Sequence, residues 1–262
     1  MFYFLRKIRN SLIKSGAVNK YLIYAIGEIV LVVLGILIAL QINNWNEGKK
    51  NEATVHVLMT QVLEEIEMNI KECHFVFTME TKRDSALKKI VNRKLTEQSY
   101  KDDPTLGSTI IYMHDIDTED RAFQNLSRQS ELIPNIYQEI FQSLEVIYND
   151  PIQEVDKWNQ ILSENSIANS YNWSRTKPWY SIVSKDGYSS EATAYFLEDP
   201  IYLNEVSLYE GYFFMQRHTS VRFINRATKV YIELFKTLYP SSNLPDWTSE
   251  MIANYSSQEN AY

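Results

Sequence analysis

The sharpest chemical question in this chain is posed by Glu28, the one charged residue inside residues 21–42, YLIYAIGEIVLVVLGILIALQI. An ionised side chain in hydrocarbon costs several kcal/mol and normally faces protein or water. At about 100° per residue, Gly35 and Ala39 fall within roughly 20° of Glu28. The three therefore share a face on which two helix backbones could approach closely. The alternative places Glu28 near the membrane edge, reaching headgroups or Lys20. A third use of a carboxylate in this setting is to carry a proton.

Three other clusters invite a chemical reading. His114, Asp115, Asp117, Thr118, Glu119 and Asp120 are as oxygen-rich as the start of a calcium loop. Such a loop needs Gly at its sixth position and a bidentate Glu at its twelfth, where this chain has Asp120 and Leu126. Capping and the helix dipole explain acidic residues at a helix entry equally well. Tyr171, Trp173, Trp179 and Tyr180, with Arg175 and Lys177, could stack on a sugar or hold an anion beside aromatic rings. The same aromatics could simply anchor an irregular loop in the core.

Cys73 is the single cysteine, so no intramolecular disulfide can form, and its neighbour His74 would point about 100° away on a helix. We read Cys73 as a core thiol and give His56 and His218 structural or solvent-facing roles. Metal-protease, nucleophile-elbow, Ser-x-x-Lys and phosphate-loop signatures are missing from the sequence. No catalytic, cofactor-binding or metal-binding residue is nominated, and the expectation is a protein that binds rather than catalyses.

The elements that would position these groups begin with residues 21–43. Their apolar stretch of about 33 Å matches a hydrocarbon core of roughly 30 Å. No small-x-small site follows Leu40, so the span reads as an uncleaved anchor. Tyr21 and Tyr24 mark its near interface and Trp45 its far one. Arg6, Lys7, Arg9, Lys14 and Lys20 precede it with no acidic residue among them. That asymmetry predicts a cytoplasmic amino terminus and an outer domain, periplasmic in a bacterium with two membranes. Interleaved apolar residues make residues 1–20 either an amphipathic helix on the inner leaflet or a basic tail.

The formal charge of −7 becomes −12 once residues 1–20 are set aside, with 21 basic against 33 acidic residues. An acidic domain lacks the basic footprint that nucleic acid requires. Its partners are expected to be the lipid bilayer and, through the span, a second copy or another membrane protein.

The fold class expected is mainly α: a transmembrane helix followed by an irregular helical bundle over residues 44–240, with little or no β. Apolar residues every three or four positions predict a helix over residues 43–95 with a break between Thr78 and Asp84. Thr109 to Met113 is β-prone and could form a lone strand. Further helices are predicted from Asp117 or Thr118, from Pro134, from Pro151 to Leu162 and from Pro200 to Leu238, which Pro240 stops. Residues 163–180 fade into a loop. Residues 241–262 are expected to be weakly ordered, although Trp247, Met251 and Ile252 could dock a short helical turn.

The run KYLIYAIGEIVLVVLGILIALQINNWN over residues 20–46, preceded by Phe4-Leu5-Arg6-Lys7-Ile8-Arg9, resembles a family of uncharacterised single-span membrane proteins from Bacteroidota. More diffusely, AFQNLSRQSELI over residues 122–133 and the later Tyr148-Asn149 are similar too. The resemblance implies an inner-membrane anchor with a helical outer domain and carries no activity. The aromatic insert over residues 171–180 departs from its shorter members. Together these readings describe an adaptor, sensor-like module or accessory subunit. Two rivals are an ion-coupled subunit using Glu28 and a periplasmic enzyme or carbohydrate binder using Tyr171 to Tyr180.

Overall fold

The computed structural model describes residues 6, 7, 10 and 18–256, with side chains placed from residue 22 onward in the long first helix. The chain divides into two compact units between Thr54 and Val55. One uninterrupted helix, α1 (Val18–Met79), passes through that division. It contains no proline, so nothing removes a ladder donor along its 62 residues.

In the first unit, every residue from 26 to 50 is exposed. The apolar window there is long enough to cross a membrane, and none of it is buried. A helix apolar on all sides is at home in a membrane span or a deep core, and this stretch has no core around it.

The second unit starts where α1 acquires a buried stripe: Val55, Met59, Val62, Ile66, Ile70 and Cys73 are fully buried. The helix breaks at Glu80, inside the window predicted for it, and α2 (Thr81–Val91) follows. After α3 (Glu97–Asp102), capped by Thr96 and Ser99, and a 3-10 turn at Pro104–Ser108, the chain runs as an extended strap over residues 112–120. Next come α4 (Arg121–Ser127), α5 (Gln138–Asn149), α6 (Pro151–Thr176), α7 (Tyr180–Val183), α8 (Ser190–Glu198), α9 (Pro200–Leu238) and α10 (Asp246–Tyr255). Pro151 and Pro200 each start a helix, where the missing N–H costs nothing. Asp199 accepts from the amides of Ile201 and Tyr202 to cap α9.

Among the described residues there is no strand, so Thr109 to Met113 is turn and strap instead. The physical reason lies in side-chain amides. Asn159 of α6 accepts from Ile116 N at 2.9 Å and donates to Ile116 O at 3.2 Å. Asn69 of α1 does the same to Glu119, at 2.8 and 2.7 Å. Each carboxamide imitates the peptide group of a neighbouring strand, so the extended backbone is satisfied without a sheet. Next to this clamp, the buried Glu65 carboxylate of α1 accepts from Ala122 N, Phe123 N and the Tyr148 hydroxyl at 2.6, 3.1 and 2.7 Å. It caps α4, whose own Asp120 makes no side-chain cap.

The loop expected over residues 163–180 is corrected, because α6 continues to Thr176. Its buried side carries Leu162, Ser166 and Trp173, and Asn169 reaches back to Ile110 O at 3.2 Å. Polar and small residues occupy part of the inward face, which hides the helical period from a hydropathy reading. Over Asp246–Tyr255 the tail is helical, in line with the docked turn expected around Trp247, Met251 and Ile252. There α10 buries Thr248, Met251 and Tyr255, and Asn225 donates to Tyr255 O at 2.9 Å. Residues 257–262 lie outside the described residues.

Two hydrophobic cores result. One joins α1, α4, α5, the start of α6, the second half of α9, and α10. The other joins α2, α3, the rest of α6, Trp179, α8 and the first half of α9.

Candidate functional site

The structure places Glu28, Gly35 and Ala39 on the membrane-length part of α1, all exposed. A Cβ added to Gly35 would meet nothing within 4 Å, so that face is open to lipid or to another helix. Tyr24 and Trp45 are 57% and 68% exposed. Arg6 and Lys7 are helical and exposed, whereas Arg9, Lys14 and the side chains of Lys20 and Tyr21 lie outside the described residues.

The aromatic run does not form a stacking platform. Trp173 and Trp179 are buried at 0% and 3% exposure, edge to face at 5.4 Å. Tyr195, Phe196 and Tyr202 close around Trp173 with ring centroids 5.8 to 6.1 Å away. Tyr171 is exposed and paired along its own helix with Arg175. Lys177 Nζ sits 3.6 Å from the Tyr195 ring centroid. The indoles fill a core, as large apolar side chains do when a concave surface is available to them. Trp173 and Tyr202 bring polar atoms into that core, Trp173 beside the half-buried Glu205 carboxyl and Tyr202 beside Tyr100. Burial lifts the Glu205 carboxyl above the ordinary carboxylate range.

Cys73 is fully buried in the first core, where burial pushes its thiol well up and makes it unreactive. His74 Nδ1 meets the Tyr255 hydroxyl at 2.8 Å and so serves the docking of α10. The acidic run from Asp115 to Asp120 lies in and beside the clamped strap, and Thr118 donates to Asp156 of α6.

The structure also assembles a site from residues that share no sequence motif. Where α1 ends, a cavity of about 280 Å³ is lined by Glu80, Lys82 and Arg83, by Thr105, Ser108 and Thr109, by Tyr112 and His114 of the strap, and by Asp186. Met79, Ala86 and Leu106 form its apolar part. At its floor Glu80, 4% exposed, accepts from His114 Nδ1 at 2.5 Å and pairs with Arg83 Nε at 2.8 Å. Arg83 also reaches the buried Tyr209 hydroxyl at 3.4 Å.

Asp186 enters from the far side in the left-handed region, with φ 54°. Asp tolerates that conformation better than most residues. Gly187 completes the turn, since a Cβ there would stand 2.8 Å from Ile182 Cγ2 and 2.9 Å from Ile182 O. Nothing in the spacing of residues 80, 114 and 186 announces their meeting. The sequence signal nearby is the predicted helix break between Thr78 and Asp84.

A model described as a family of unknown function, DUF6090, matches residues 28–161. No curated protein and no solved structure matches the chain.

Proposed function

The chain belongs to the DUF6090 family of unknown function, and from that premise we propose a membrane-anchored binding protein rather than an enzyme. It is a single-pass protein of a bacterial inner membrane, with its amino terminus cytoplasmic and its helical domain periplasmic. The domain acts as an adaptor or sensor-like module. The carrying observation is the change in α1 at Val55: a membrane-length apolar window none of which is buried gives way to a stripe packed in a core. The five basic residues before the span support the orientation.

Alkaline phosphatase fused after Tyr262 tests the topology. An active fusion is expected, and an inactive but well-expressed one overturns the outward placement. The open face of Glu28, Gly35 and Ala39 supports self-association as a secondary feature. Cysteine crosslinking at residues 35 and 39 in membranes should give dimers, and their absence along that face removes it.

A further inference from the structure

We propose that the cavity at the end of α1 binds a small organic ammonium, a protonated primary amine on a short aliphatic body. The inference rests on reading the domain as a binding module and names what it binds. It comes from following the hydroxyl hydrogens of the lining to their acceptors.

The hydroxyls have already spent their hydrogens on the protein. Thr109 donates to Leu106 O at 2.7 Å and Tyr112 to Ser184 O at 2.7 Å. Thr105 donates to Asp103 at 2.5 Å, and Ser108 to Asp186 at 2.6 Å with Thr105 O as a second acceptor. What these oxygens still offer is lone pairs. His114 Nδ1 is engaged by the Glu80 carboxylate.

The charges point the same way. Lys82 is paired with Asp103 at 2.9 Å and Arg83 with Glu80 at 2.8 Å. Asp186 lines the cavity with no ion-pair partner among the described residues, and only its Oδ1 is engaged, by Ser108. Hydroxyl lone pairs beside one exposed carboxylate without an ion-pair partner suit a donor-rich cation. The volume, about 280 Å³, exceeds what a bare ion needs, and Met79, Ala86 and Leu106 supply apolar surface for an aliphatic body.

Calorimetric titration of the full chain in detergent, with n-butylammonium, butyrate and potassium as probes, tests the assignment. Binding of n-butylammonium is expected, with butyrate weaker and potassium failing to compete. Asp186→Asn keeps an acceptor for Ser108 and tolerates the left-handed backbone. It should weaken the amine about ten- to a hundredfold, the range for losing one charge-assisted contact. Lys236→Gln, at the end of α9 and not part of the cavity lining, should leave the affinity unchanged. Tyr112→Phe, at an exposed side chain, should cost a few-fold and provides a second reading if the first variant folds poorly.

Butyrate binding more tightly than the amine, full competition by potassium, no n-butylammonium binding, or unchanged affinity in both Asp186→Asn and Tyr112→Phe overturns the proposal. Each of those results leaves membrane anchoring to be judged separately by the phosphatase fusion.

Discussion

Around α1 and the second half of α9, the core is mostly aliphatic, and its buried carboxylate, Glu65, is saturated by three donors. Around α6, α8 and the first half of α9, the core is built from Trp173, Trp179, Phe196, Tyr202 and Tyr209, and the carboxylate beside it, Glu205, is only half-buried. Large rings bury much area per residue but carry N–H and O–H groups that need partners once inside. The first core is thus specified by polar geometry, whereas the second is held by aromatic bulk. The family match ends at residue 161, so the aromatic anchors lie beyond it.

The hardest blow to the second core is Trp173→Ala. Trp173 has no exposed surface, and truncating a buried indole costs about 3–5 kcal/mol through lost transfer energy and an unfilled cavity. Urea unfolding of the full chain in detergent, followed by far-ultraviolet circular dichroism, measures it. Trp173→Phe sharpens the comparison by keeping a ring while removing the indole N–H. It should lie well above the alanine variant in stability. Equal losses would mean that the indole N–H, and not bulk, holds this core.

In the first core the informative residue is Glu65. Glu65→Ala strands two backbone amides and a tyrosine hydroxyl at once, for an expected loss of about 3 kcal/mol. Glu65→Gln keeps an acceptor and should cost less than half as much. A glutamine variant as damaged as the alanine one would show that charge, rather than acceptor count, secures α4. Asn69→Ala removes a two-way clamp on Glu119 and should cost about 1–2 kcal/mol. Hydrogen exchange should show its effect concentrated in residues 115–123.

The same contrast explains what was legible in advance. Val55, Val62, Ile66, Ile70 and Cys73 recur at helical spacing, so α1 and its break near Glu80 could be read directly. The membrane-length stretch is equally plain, because residues 21–42, with Glu28 their one charged residue, form an apolar segment that has few other uses. The second half of α6 was not legible. Ser166 and Asn169 face inward there, and a hydropathy pattern discounts both. The strap misled for a related reason: Ile110 and Ile111 have β-prone side chains, but their segment's backbone bonds to Asn69, Asn159 and Asn169, which sit 43 to 59 residues away in sequence. The cavity residues were least legible, since Glu80, His114 and Asp186 meet only through the tertiary fold.

Glu205 allows the finest test of the difference between the cores. Burial lifts its carboxyl above the ordinary value of 4.5, with a hydrogen bond from Trp173 and the charge of Lys177 opposing the effect and Asp199 adding to it. Between the ordinary value and the lifted one, the native protein holds a proton that the unfolded chain has released. Native stability must therefore fall as pH rises through that window, and the penalty is complete above it. Glu205→Gln keeps the shape and removes the ionisation. Wild type and variant should unfold at the same urea concentration at pH 4, where both side chains are largely neutral. At pH 7.5 the variant should be the more stable, by less than any loss above. Equal midpoints at both values would mean that the Glu205 carboxylate is satisfied in solution. The half-buried carboxylate beside the aromatic core would then be as well accommodated as the buried Glu65 of the aliphatic one.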